Sequence, residues 1–126
     1  MDLYYYNLNT QFKNKWRIAK ILTYEKYKEL NISCEQIRHY TSPLLTNGGW
    51  HLSYFGDSHF ISNKIQNFAH QELNNPNFIN LENIQKRINN FSDLYNRNYE
   101  LMQIKISENK NLPHQYEIYL RNFIII

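Results

Sequence analysis

Gly48-Gly49-Trp50-His51-Leu52-Ser53-Tyr54-Phe55-Gly56-Asp57-Ser58-His59-Phe60-Ile61-Ser62-Asn63-Lys64-Ile65-Gln66-Asn67-Phe68-Ala69-His70-Gln71-Glu72 is the stretch from which the fold class is read. Two adjacent glycines, following Thr46-Asn47, predict a sharp backbone turn, and Gly56 ends the aromatic run that comes after it. Asp57 or Ser58 then caps a helix expected over about Phe60 to Leu73, on which Ile61, Ile65, Phe68 and Ala69 form one apolar stripe at helical spacing.

Working outward, Leu3 to Asn9 is dense in tyrosine and predicts a strand, with Leu3 and Tyr5 on one face and Tyr4, Tyr6 and Leu8 on the other. A buried strand is expected from Trp16 to Thr23, where both alternating sets carry apolar residues. Tyr24 to Asn31 reads as a short helix, and Asn31 to Pro43 as a polar connection. Asn80 caps a helix with Leu81, Ile84 and Ile88 facing inward, Tyr99 to Ile106 alternates as a strand, and Pro113 opens a last helix from His114 to Arg121. The tail, Phe123 to Ile126, ends on exposed-looking apolar residues. Strands alternating with helices predict a mixed α/β domain without internal repeats.

Composition bounds the function. A chain of 126 residues holds one core, hiding roughly two thirds of its unfolded surface. Its hydrophobic content of 42% is globular despite a mean hydropathy of -0.69, because Asn and Tyr lower hydropathy without removing apolar bulk. The formal charge of +3 is scattered, with no compact basic stripe, which argues against nucleic acid as a partner. Cys34 is the single cysteine, excluding an internal disulfide and a cysteine-based zinc site. Nothing approaches the roughly 20 apolar residues of a membrane span, and Met1 to Tyr6 lacks the basic and apolar regions of a signal peptide. Asn31-Ile32-Ser33 and Asn90-Phe91-Ser92 are glycosylation sequons in an asparagine-rich chain.

Chemistry concentrates in the opening stretch. Trp50, Tyr54 and Phe55 offer rings that stack on a pyranose, and His51, Ser53 and Tyr54 offer hydrogen bonds to hydroxyls. An aromatic-rich turn plugging the core has the same composition, so both readings stand on residue types alone.

The run Gly49-Trp50-His51-Leu52-Ser53-Tyr54-Phe55-Gly56, then Lys64-Ile65 and Phe68-Ala69-His70-Gln71-Glu72, resembles the C-terminal signature of glycosyltransferase family 17, the β-1,4-mannosyl-glycoprotein N-acetylglucosaminyltransferase-like family. Tyr4 to Asn9, Asp93 with Arg97, and Leu112-Pro113 also fall where that family has similar residues. The resemblance covers essentially the whole chain. It implies the C-terminal portion, residues 1–126, of a GT-A-like nucleotide-sugar transferase fold.

The implied activity moves N-acetylglucosamine from UDP-N-acetylglucosamine to a mannose of a glycan or glycoprotein, with Mn²⁺ or Mg²⁺ on the diphosphate. Trp50, His51, Tyr54 and Phe55 would then line the donor and acceptor site, and Glu72 would be the general base. Eleven residues beyond Ile61, Glu72 returns to the apolar stripe of the expected helix, where partial burial would raise its pKa; a helix-end carboxylate bonded to a neighbour is the plainer alternative. His70 falls on the opposite side of that helix, so the two meet only if the helix ends between them. The resemblance makes His70 a metal ligand, with His51 and His59 weaker candidates; a surface or capping His is the alternative. Lys64 pairs with the diphosphate or stands solvated, and Asp57 holds a sugar hydroxyl or simply caps the helix.

GT-A enzymes typically carry an Asp-x-Asp element, and the aspartates here are Asp2, Asp57 and Asp93. The expectation is that the nucleotide-binding half lies outside this chain, on a separate one. The alternative is a non-catalytic carbohydrate-binding remnant or an inactive fragment. No compartment follows from the sequence, although the family's eukaryotic members are Golgi enzymes.

Overall fold

The computed structural model describes residues 1–125. A four-stranded mixed sheet in the order β3-β1-β2-β4 carries the fold, built from β1 (Asp2–Tyr5), β2 (Thr10–Phe12), β3 (Trp50–Ser53) and β4 (Leu101–Gln103). β1 pairs in parallel with β3, Leu3 opposite His51 and Tyr5 opposite Ser53, while β1–β2 and β2–β4 are antiparallel. The mixed α/β expectation holds at this level.

On one face lie α3 (Ser58–Asn67), α4 (Pro76–Ile79) and α5 (Leu81–Asn89). Leu3, Tyr5, Ile61, Ile65, Ile84, Ile88 and Leu94 make the core between helices and sheet. Each such residue, fully buried, stabilises the fold by roughly 1.5–3 kcal/mol. The opposite face is covered by the C-terminal segment: Asn109 Nδ2 donates to the Tyr4 hydroxyl at 2.6 Å, and the Leu8 amide to the Phe123 carbonyl at 2.8 Å. β1 is therefore buried on both faces, as a tyrosine-rich central strand requires.

Tyr6 departs from the expected alternation. Its backbone is left-handed (φ 65°), which returns its ring to the side of Tyr5, where the two meet edge-on with centroids 5.4 Å apart. The hydroxyl donates to the Ser92 carbonyl at 2.8 Å. In the turn that follows, Asn7 Oδ1 accepts from the Asn9 amide and the Thr10 hydroxyl, and Asn9 Oδ1 accepts from the Ile125 amide. These buried asparagines close a turn and pin the C-terminal segment to it.

The strand expected from Trp16 to Thr23 does not form. Met1 and Trp16 exchange backbone hydrogen bonds, after which the chain leaves the sheet, because both edges of β1 are already taken by β3 and β2. α1 (Tyr24–Leu30) forms as expected, capped by Thr23 and ended by Asn31 in the left-handed region. The expected connection from Asn31 to Pro43 instead contains α2 (Cys34–His39), nucleated by a reciprocal capping box between Ser33 and Gln36.

α3 begins where expected: Asp57 Oδ1 accepts from the Phe60 amide at 2.8 Å. It ends at Asn67 rather than Leu73. Side-chain amides seal its last turn, with Asn67 Nδ2 donating to the Asn63 carbonyl and Gln71 Nε2 to the carbonyls of Gln66 and Phe68. Gln71–Leu73 is a separate 3₁₀ turn. Asn80 caps α5 as expected, burying Ile84 and Ile88, but Leu81 stays exposed.

β4 is shorter than the expected Tyr99 to Ile106, since three-residue β2 offers no longer partner. The last helix, α6, is the single turn Tyr116–Tyr119, because Gln115 before it is left-handed. Ile125 at the tail is exposed, and Ile126 lies outside the described residues. No helix among the described residues is long and apolar enough to cross a membrane.

Candidate functional site

Alternation along β3 decides which signature residues meet. Neighbouring strand residues point to opposite faces, so Trp50 and His51 separate. His51 lies on the helix face beside Leu3, whereas Trp50 turns to the C-terminal layer, where its indole N–H donates to the Asn111 carbonyl. Phe55 also joins that layer, its ring 5.2 Å from Phe123. The aromatic platform expected from Trp50, His51, Tyr54 and Phe55 is thus divided between two faces of the sheet.

What does assemble is a seam between β3 and α3. The His51 ring stacks on Trp16 with centroids 4.3 Å apart and planes within 11°. The Lys64 ammonium, from α3, lies 4.8 Å above the Tyr54 ring. Tyr54 is held beneath it by a 2.7 Å hydrogen bond between its hydroxyl and that of Tyr95, and by a left-handed backbone at φ 55°. Trp16 belongs to this group although sequence reading placed it in a strand core. Its position follows from the Met1–Trp16 backbone exchange, which no local pattern announces.

Burial first, and the Lys64 ammonium second, hold the His51 imidazole below the usual histidine range. Titrating the ring by NMR is expected to give a midpoint below that of a free histidine, and Lys64→Met to move it upward. An unchanged midpoint in the variant would show that Lys64 exerts no field on the ring.

The early end of α3 brings His70 and Glu72 together. His70 Nδ1 lies 2.9 Å from Glu72 Oε1, with both side chains 68% exposed. Glu72 is therefore neither on the α3 stripe nor buried. Its pKa is lowered rather than raised, by a hydrogen bond to its own backbone amide and then by His70. The expectation of a desolvated carboxyl is corrected, because the helix that would have carried it inward stops five residues earlier.

With Nδ1 engaged by a carboxylate, His70 presents Nε2, the arrangement usual for a metal-binding imidazole. Among the described residues no three His, Cys, Asp or Glu side chains gather into a ligand group. Asp57 is committed to capping α3, and His59 is exposed on its first turn.

A second polar cluster escaped the reading from residue types. Asp93, with its side chain 2% exposed, accepts from the amides of Tyr95 and Arg97 and from Arg97 Nε and Nη2; Arg97 Nη2 also donates to the Tyr5 hydroxyl. The Arg97 guanidinium lies 5.0 Å from the centroid of Tyr95 and 4.2 Å from that of Tyr99. Burial, the largest effect, pushes the Tyr5 hydroxyl up to about 12, so it stays a neutral acceptor for Arg97. Asp93 to Arg97 is turn rather than helix, so no local periodicity announced the contact. No protein family, curated protein or solved structure matches this chain.

Proposed function

We propose that this chain is the acceptor-side portion of a GT-A-like N-acetylglucosaminyltransferase, which transfers the sugar from UDP-N-acetylglucosamine to a mannose of a glycan or glycoprotein. A separate segment or chain supplies the nucleotide-binding half. The reading is supported by the family 17 resemblance of Gly49 to Glu72 and by a mixed α/β fold compatible with it.

The observation that carries it is the His70–Glu72 pair, two polar side chains joined at 2.9 Å at the surface. In the proposed step the Glu72 carboxylate takes the proton of the acceptor hydroxyl. That oxygen bonds to the anomeric carbon as the bond from carbon to diphosphate breaks, and UDP leaves with the electron pair. His70 would hold a divalent cation through Nε2, and such a cation supplies charge neutralisation on the diphosphate. Lys64, His51 and Trp16 would hold the acceptor sugar along the β3–α3 seam.

The exposure of Glu72 favours a second reading, in which the chain binds a saccharide along the seam and catalyses nothing. Calorimetric titration separates the two. The transferase reading predicts that the chain binds a mannose-terminated glycan, and that UDP-N-acetylglucosamine with Mn²⁺ binds once the nucleotide half is added. Glycan binding with no donor binding in the reassembled protein leaves the binding module, and no glycan binding removes both.

A further inference from the structure

The segment that failed to become a strand creates a cleft. Trp16 to Ile21 runs along one side and Ser42 to Leu45 along the other, enclosing about 520 Å³ at the Met1 end of the sheet. That volume suits one small molecule. Its walls are mostly apolar, from Trp16, Ile21, Leu44 and Leu45, and they are left wet: Ile21 is 89% exposed and Leu45 68%. An uncovered apolar lining of this kind gains free energy when an apolar body displaces its water.

The charge of the lining is one-sided. Arg17 and Lys20 are its ionisable side chains, and no acidic side chain lines it. Neither cation takes part in any ion pair among the described residues, and Lys20 Nζ donates to the neutral Ser42 hydroxyl at 3.2 Å. Apolar walls with two uncompensated cations complement a ligand that has an apolar body and an anionic head.

We infer that this cleft binds a free single-chain amphiphile with an anionic head group, its chain against Trp16, Ile21, Leu44 and Leu45 and its head between Arg17 and Lys20. The concave shape takes one molecule and does not present a flat face to a bilayer. The site is distinct from the seam, with Trp16 as a shared wall, and it does not rest on the transferase reading.

The test is calorimetric titration of the chain with decanoate and, in parallel, with decanol. Decanoate is expected to bind saturably at one site. Arg17→Ala together with Lys20→Ala should weaken that binding about tenfold or more, as loss of charge-assisted hydrogen bonds does, while decanol affinity is retained. Leu45→Glu, at an exposed position, should abolish decanoate binding by placing a carboxylate in the cleft. Absent saturable binding, equal decanoate affinity in the double variant, or capture only by phosphatidylserine vesicles would each overturn the inference.

Discussion

Replacing Asp93 by alanine is expected to lower the unfolding free energy by about 2–3 kcal/mol, because it leaves the Tyr95 and Arg97 amides without their acceptor and the partly solvated Arg97 guanidinium, 41% exposed, without its counter-charge. The carboxylate closes two backbone amides, those of Tyr95 and Arg97, and grips the guanidinium through Nε and Nη2 at 3.1 and 2.7 Å. Through Arg97 it reaches Tyr5 in the central strand, so one side chain ties the exit of α5 to the middle of the sheet. Asp93→Asn retains an acceptor but not the charge and should fall between. Urea denaturation followed by circular dichroism measures both, and a loss below about 1 kcal/mol for the alanine variant would place the stability of this region elsewhere.

The second large effect concerns Glu72. If the chain acts as the proposed transferase, with a nucleotide-binding half supplied, Glu72→Gln is expected to slow transfer by about 10²–10⁴-fold, the range ascribed to a positioned general base, while donor binding is unchanged. The pH dependence carries a sign. Since the pKa of Glu72 is lowered, first by its own backbone amide and next by His70, the carboxylate that the proposed step requires persists through neutral pH and is lost only as pH falls below the usual glutamate range. Near-normal turnover in the glutamine variant would remove Glu72 as the base.

How much of this was legible in the sequence depended on whether the deciding interaction was local. The start of α3 was readable because an N-cap acts within three residues, from Asp57 to Phe60. Its end was not, because Gln71 reaches back to carbonyls past which the apolar stripe continues. α2 announces itself through Ser33 and Gln36, a capping-box spacing that could have been taken from the sequence. The pattern from Trp16 to Thr23 promised a buried strand, yet a strand needs a free edge, and edge occupancy is settled by distant pairings.

The candidate site divides in the same way. That Trp50 and His51 diverge follows from strand alternation alone once β3 is recognised. The Trp16–His51 stack joins residues 16 and 51 through the sheet and was beyond local reading. The meeting of His70 and Glu72 hung on the helix terminus, the least readable feature of a helix.

The central claim is that the β3–α3 seam holds a saccharide, and amide and imidazole NMR shifts recorded while a mannose-terminated glycan is added test it most directly. Saturable shifts centred on Trp16, His51, Tyr54 and Lys64, weakened in Lys64→Ala, are the predicted result. Shifts confined to other faces of the sheet, or none at all at saturating glycan, would contradict it.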